Sequence, residues 1–191
     1  MLQQISVNYL KQMDDYIKEN LDTITCDEVR ECYQSFVDTS KELTGIHANY
    51  KSLPEYIVHR FVYHLYAYYI NAKQYDIVTN QKFLNKYVAG KNEIDIALIN
   101  PNQVGNTKEE FQVLGAVSVK AAHTVKIDED FHRANNLIWG ENEDLQYVLV
   151  TFNDKFNKDE TKFISDQYKI INLQRDKTKI FAHELKNKLG I

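Results

Sequence analysis

The chain has 191 residues, 43% of them apolar, which suits a single domain with a substantial core. Its net charge of −4 argues against a general nucleic-acid coat protein, which would be basic, yet leaves room for a local basic groove beside an acidic metal site. No apolar run is long enough to span a membrane, the longest candidate, residues 56–70, being broken by His59, Arg60 and His64.

The opening "MLQQISVNYLKQMDD" lacks both the basic start and the apolar core of a secretion signal, so a cytoplasmic protein with no membrane partner is expected. Leu2, Ile5, Tyr9, Met13, Tyr16 and Ile17 recur at helical spacing and predict a first helix. Thr25 followed three residues later by Glu28 is a capping-box signal for a second, with Val29, Tyr33, Phe36, Val37 and Leu43 as its apolar stripe and Gly45 as its stop. Cys26 and Cys32 fall on this helix without a C-x-x-C or Cys/His cluster, so they read as reduced thiols rather than zinc ligands. "SLPEYIVHRFVYHLYAYYI" predicts a strongly apolar third helix, with Ser52 and Glu55 as a capping box, Pro54 in the first turn, and Ile57, Phe61, Val62, Leu65 and Tyr69 facing inward.

The second half changes character. "EIDIALI", "FQVLGAVSVKAA", "QYVLVTF" and "YKIINL" are rich in Val, Ile, Tyr and Phe and predict strands, with "NPNQVGNTKEE" a loop between the first two. "DEDFHRANNLIWG" predicts a helix opening near Asp128, closing at Gly140, and burying Phe131, Ala134, Leu137 and Ile138; "DKTKIFAHELKNKLG" predicts a last helix closing at Gly190. Helices followed by strand, strand, helix, strand, strand, helix define an α/β (α+β) core behind a helical amino-terminal region. The expected division is a helical segment over residues 1–50 and a core over 51–191.

Two charges stand out in these strands. Strand side chains alternate, so Ser118 and Lys120 share a face of the second strand, and Asp95 lies on one face of the first. If the strands are neighbours, Asp95 and Lys120 meet near one end of the sheet. A carboxylate and a lysine so placed suit metal-assisted phosphodiester hydrolysis. The carboxylate binds Mg²⁺ through oxygen, and the lysine orients water and offsets charge in the transition state.

With these residues in view, the chain resembles the PD-(D/E)xK nucleases, specifically the type II restriction endonucleases. The resemblance spans residues 52–152. Asp95 matches the acid of the first strand, Ser118-Val119-Lys120 the acid-x-lysine of the second, and Glu55 the glutamate of a preceding helix. Ile94 replaces the proline of the family name, and Ser118 stands where the second acid is expected. One branch carries S-x-K, takes its missing acid from the following helix and reads CCGG-like or CCNGG-like sites. Its S-x-K is followed by a T-[IV]-[RK]-x-D phrase, which Thr124, Val125, Lys126 and Asp128 resemble once a small length change is allowed. The branch places a Glu deeper in that helix, where this chain has Asn135 and Asn136, so Glu129 is the nearest replacement.

The resemblance implies a restriction-endonuclease-like mixed sheet flanked by helices and a Mg²⁺-dependent, sequence-specific double-strand endonuclease leaving a 5′-phosphate and a 3′-hydroxyl. Asp95, Glu55 and Glu129 would bind metal, Lys120 would position water, and Ser118 would fill the vacant acid position. His123, Lys126, Asp128, His132, Arg133, Asn135 and Asn136 are suited to reading double-stranded DNA. A homodimer is implied, with the helices of residues 1–50 dimerising or embracing DNA.

Each feature also has an ordinary explanation. Glu55 could serve only as a cap, Asp95 and Lys120 could form a structural ion pair, and the 128–136 set could be a solvated helix face. The Ser-x-Lys pair lacks the oxyanion loop of a Ser/Lys hydrolase. The alternatives are a structure-selective repair or mobile-element nuclease of the same fold, or a non-catalytic DNA-binding or helical interaction protein.

Overall fold

The computed structural model describes residues 2–45, 52–69, 76–84, 91–99, 113–141 and 145–191. Three helices come first: α1 (Leu2–Glu19), α2 (Cys26–Thr44) and α3 (Ser52–Tyr69). Then follow β1 (Asp76–Leu84), β2 (Lys91–Ile99), β3 (Val113–Lys120), α4 (Ile127–Glu141), β4 (Gln146–Thr151), β5 (Tyr168–Asn172) and α5 (Phe181–Leu189). The five strands form one sheet in the order β1-β2-β3-β4-β5. β2 runs antiparallel to both β1 and β3, and β4 and β5 run parallel to β3. The parallel step from β3 to β4 needs a crossover, and α4 supplies it. The expected loop "NPNQVGNTKEE" lies outside the described residues.

Helices cover both faces of this mixed sheet. On one, Ile17, Val29, Tyr33, Phe61, Leu65, Phe181 and Leu185 from α1, α2, α3 and α5 pack on Ile96, Val117, Val119, Val148 and Val150. On the other, Ala134 and Leu137 of α4 pack on Ala97, Ala116, Tyr147, Leu149 and Tyr168. The helices of residues 1–50 therefore share the main core rather than forming a layer of their own. Phe181 N–H also donates to Ile24 C=O and Cys26 N–H to Lys179 C=O, stitching the α1–α2 corner to the chain leading into α5.

Several local features follow from sequence chemistry. Thr25 caps α2: its hydroxyl accepts from Glu28 N–H, and Glu28 returns a carboxylate to Thr25 N–H at 2.7 Å. The helix stops at Gly45, whose φ of 68° is the left-handed cap geometry glycine adopts without a Cβ penalty. Helix α3 already includes Ser52, so that residue is not a flanking cap. Cys26 is buried and Cys32 exposed, both unpaired; burial pushes the Cys26 thiol up to about 12, so it stays protonated.

One strand goes beyond the expected elements, and two helical stripes are less buried than their spacing implies. Strand β1 had no sequence signal, because its apolar ends, Ile77–Val78 and Phe83–Leu84, are separated by Thr79, Asn80, Gln81 and Lys82. An edge strand tolerates such polarity, and among the described residues β1 pairs only with β2. In α1, Tyr9 and Tyr16 are 48% and 56% exposed, and among the stripe residues whose side chains are described only Ile17 is buried. Leu43 of α2 is 81% exposed, beyond the reach of the core.

The α1–α3 contact is polar at its centre. Asp14 accepts from Arg60 Nε at 2.5 Å and Nη2 at 3.1 Å, and His64 Nε2 lies 2.8 Å from the same carboxylate. Burial pushes the Asp14 carboxyl up, but hydrogen bonds from Arg60 and His64 outweigh it and hold the group below its ordinary 3.8. A carboxyl lowered on folding stabilises fully above its unfolded value and loses that contribution as pH falls through the folded value. The stability gap between wild type and Asp14→Asn is thus expected to be full near neutrality and to close below about pH 3.8. Urea midpoints measured across that range check this, and a gap independent of pH would contradict it.

Candidate functional site

The registered β2–β3 pairs end at Ile96–Val117, and one further step sets Asp95 opposite Ser118. Beyond this point β3 continues beside β4 as far as Lys120–Thr151. Val119 N–H, past the end of the β2 ladder, needs another acceptor. It donates to Asp95 Oδ2 at 2.6 Å. The carboxylate thus replaces a missing strand carbonyl, which explains an aspartate in so apolar a strand.

Lys120 turns to the same oxygen. Its ammonium donates to Asp95 Oδ2 at 3.3 Å, to Ser118 Oγ at 2.7 Å and to Val119 C=O at 3.3 Å. The lysine side chain is 26% exposed and the aspartate's 12%, so neither charge is buried alone. Ser118 is fully buried, and its hydroxyl has one proton to give. It lies 2.8 Å from Asp130 Oδ1 and 3.2 Å from Asp95 Oδ2. The hydroxyl therefore donates to Asp130 and receives from Lys120.

Asp130, in the first turn of α4, is 1% exposed and sits among donors. Tyr168 OH donates to Oδ2 at 3.1 Å and Tyr147 OH to Oδ1 at 3.4 Å. Lys120 Nζ is 3.8 Å and Arg133 Nη1 3.6 Å from Oδ1. Burial, and then the Asp130 charge, push both phenols far above their ordinary value, so they remain neutral donors. A buried carboxylate therefore lies beside position 118, carried by α4 and joined to β3 through the Ser118 hydroxyl.

Glu129, the acid expected here, points away from this network. The Glu129 side chain is 60% exposed and pairs with Lys126 Nζ at 2.9 Å. Successive helical residues are turned by about 100°, so only one of the two can face the sheet. Asp130 belongs to the inward stripe Ile127, Asp130, Ala134 and Leu137, each at most 2% exposed. That helical periodicity was the sequence signal for it.

Glu55 and Asp95 line the same cavity, of about 220 Å³, together with Ser52, Tyr56, His59 and Thr79. His59 was not among the expected site residues. Burial, reinforced by the neighbouring Arg60 charge, holds its imidazole below the ordinary 6.5, in the neutral form at neutral pH.

The residues expected to read DNA lie on the loop after β3 and along α4. His123, Lys126 and His132 are exposed, and Arg133, Asn135 and Asn136 half-buried. Asp128 is already engaged: its carboxylate accepts from Asn157 Nδ2 at 2.6 Å and pairs with Lys158 at 2.7 Å, contacts that hold it well below the usual carboxylate range. Nor does Asp128 cap α4. Asn157 Oδ1 does so from a distant loop, accepting from Ile127 N–H at 2.9 Å.

Among the described residues no group of three or more His, Cys, Asp or Glu is gathered as a ready-made metal cage. Asp95 and Asp130, converging on one hydroxyl, still fit Mg²⁺, which is commonly held by one or two carboxylates with water completing its shell. All the contacts found for Asp95 go to Oδ2, leaving Oδ1 without a partner among the described residues. No family model matches the chain, and no curated protein matches its sequence.

Proposed function

We propose that this protein is a Mg²⁺-dependent endonuclease that hydrolyses phosphodiester bonds of double-stranded DNA to 5′-phosphate and 3′-hydroxyl ends, in the manner of a type II restriction enzyme. The observation that carries this reading is the convergence of Asp95, Lys120 and Asp130 on Ser118 where β2 and β3 part. It matches the acid and x-lysine pattern of the PD-(D/E)xK nucleases, with Asp130 taking the place of the second acid. Bound Mg²⁺ would polarise the scissile phosphate and acidify the attacking water. Asp95 and Asp130 would hold the cation, with Glu55 supporting it from the adjoining cavity. The Lys120 ammonium would orient the water and stabilise negative charge as it develops on the phosphate. Ser118 keeps Lys120 and Asp130 in register without adding a third buried negative charge. Cutting both strands calls for two sites related by a two-fold axis, so the working form would be a homodimer.

A structural reading is favoured by one observation, the near-complete burial of Asp130. On it the network only satisfies buried charges, and no cleavage follows. Incubation of unmethylated phage DNA with the protein in Mg²⁺ separates the readings. Discrete fragments are expected, and their end sequences would give the site. Cutting confined to branched or damaged DNA would point to the repair-type nuclease, and intact DNA under every divalent cation would leave only the structural reading.

A further inference from the structure

We infer that the Tyr168 hydroxyl, assisted by that of Tyr147, is a positioning group that aims Asp130 and thereby sets the protein's affinity for its divalent cation. This rests on the nuclease reading and adds residues it does not require. Tyr147 and Tyr168 are directly paired on β4 and β5 and both face α4. Neither is exposed to solvent. Their rings stack with centroids 5.5 Å apart at 17°, and Phe131 closes edge-on over Tyr168 at 5.2 Å.

Phenylalanine would fill the same volume without placing a hydroxyl in an apolar layer, where an unbonded one is costly. Each phenol instead points at Asp130, one to each carboxylate oxygen. Tyr168 occupies Oδ2, which fixes the carboxylate plane and leaves Oδ1 turned toward Ser118 and Lys120. Hydrogen bonds that hold a ligating carboxylate in place are part of a metal site, and their loss typically costs about 10- to 100-fold in metal affinity or activity.

The test is Tyr168→Phe in the full chain, which keeps the ring and removes the hydroxyl. Mn²⁺ binding is measured without DNA by the electron-spin-resonance signal of the free ion, alongside the Mg²⁺ dependence of cleavage and DNA affinity in Ca²⁺. The expected result is Mn²⁺ affinity weakened about 10-fold, half-maximal cleavage shifted to higher Mg²⁺, and DNA affinity unchanged. Should Tyr168→Phe fail to fold, Tyr147→Phe carries the test with a smaller expected shift, because its hydrogen bond is the longer. A folded variant that binds Mn²⁺ like a DNA-cleaving wild type overturns this inference alone. A wild type that neither binds Mn²⁺ nor cleaves DNA overturns it together with the nuclease reading.

Discussion

Lys120→Ala is expected to lower Mg²⁺-dependent DNA cleavage by about 10²- to 10³-fold or more while leaving DNA binding largely intact, the range seen when one preorganised donor to developing charge is removed. The lysine lies at the end of β3, where its ammonium reaches both Asp95 and Ser118. A structural ion pair in the same place would behave differently. Its loss would cost about 1–3 kcal/mol of stability through the charged partners left behind, with no chemistry to lose. The two readings therefore separate when cleavage rate and urea midpoint are measured on the same preparation. A folded Lys120→Ala that cuts at the wild-type rate would remove the lysine from the chemistry.

The second large effect distinguishes neighbouring acids. Asp130→Asn is expected to abolish measurable cleavage and to cost about 1–3 kcal/mol, because an amide cannot accept from Ser118, Tyr147 and Tyr168 as a carboxylate does. Glu129→Ala, which loses only an exposed pair with Lys126, is expected to change stability by no more than about 0.5 kcal/mol and to leave cleavage intact. Rates and denaturation midpoints of the two variants check this directly. Loss of cleavage in Glu129→Ala with a fully active Asp130→Asn would reverse the assignment of the acid.

How much of this was legible in the chain depends on the kind of regularity each feature obeys. Asp95 and Lys120 could be brought together from strand alternation and one assumed pairing, because both sit on well-patterned strands. The α2 caps were legible because Thr25, Glu28 and Gly45 act through local hydrogen bonds and backbone freedom. Spacing along the chain from Lys120 favours Glu129, but spacing alone does not say which of two adjacent acids faces the sheet. The face of α4 decides the matter, and Ile127, Ala134 and Leu137 define that face. Tyr147 and Tyr168 read as ordinary strand aromatics; nothing local says that two phenols from different strands share one carboxylate. The exposed tyrosines of α1 show the converse, since helical spacing supplies a stripe but not the surface that buries it.

The most direct measurement incubates supercoiled plasmid with wild type and Lys120→Ala in parallel, in Mg²⁺ and in Ca²⁺, and follows nicked and linear products. The expected result is conversion by wild type in Mg²⁺ alone, with 5′-phosphate ends that ligate. Equal conversion by Lys120→Ala, or none by wild type with any divalent cation, would contradict the assignment of Asp95, Lys120 and Asp130 to phosphodiester hydrolysis.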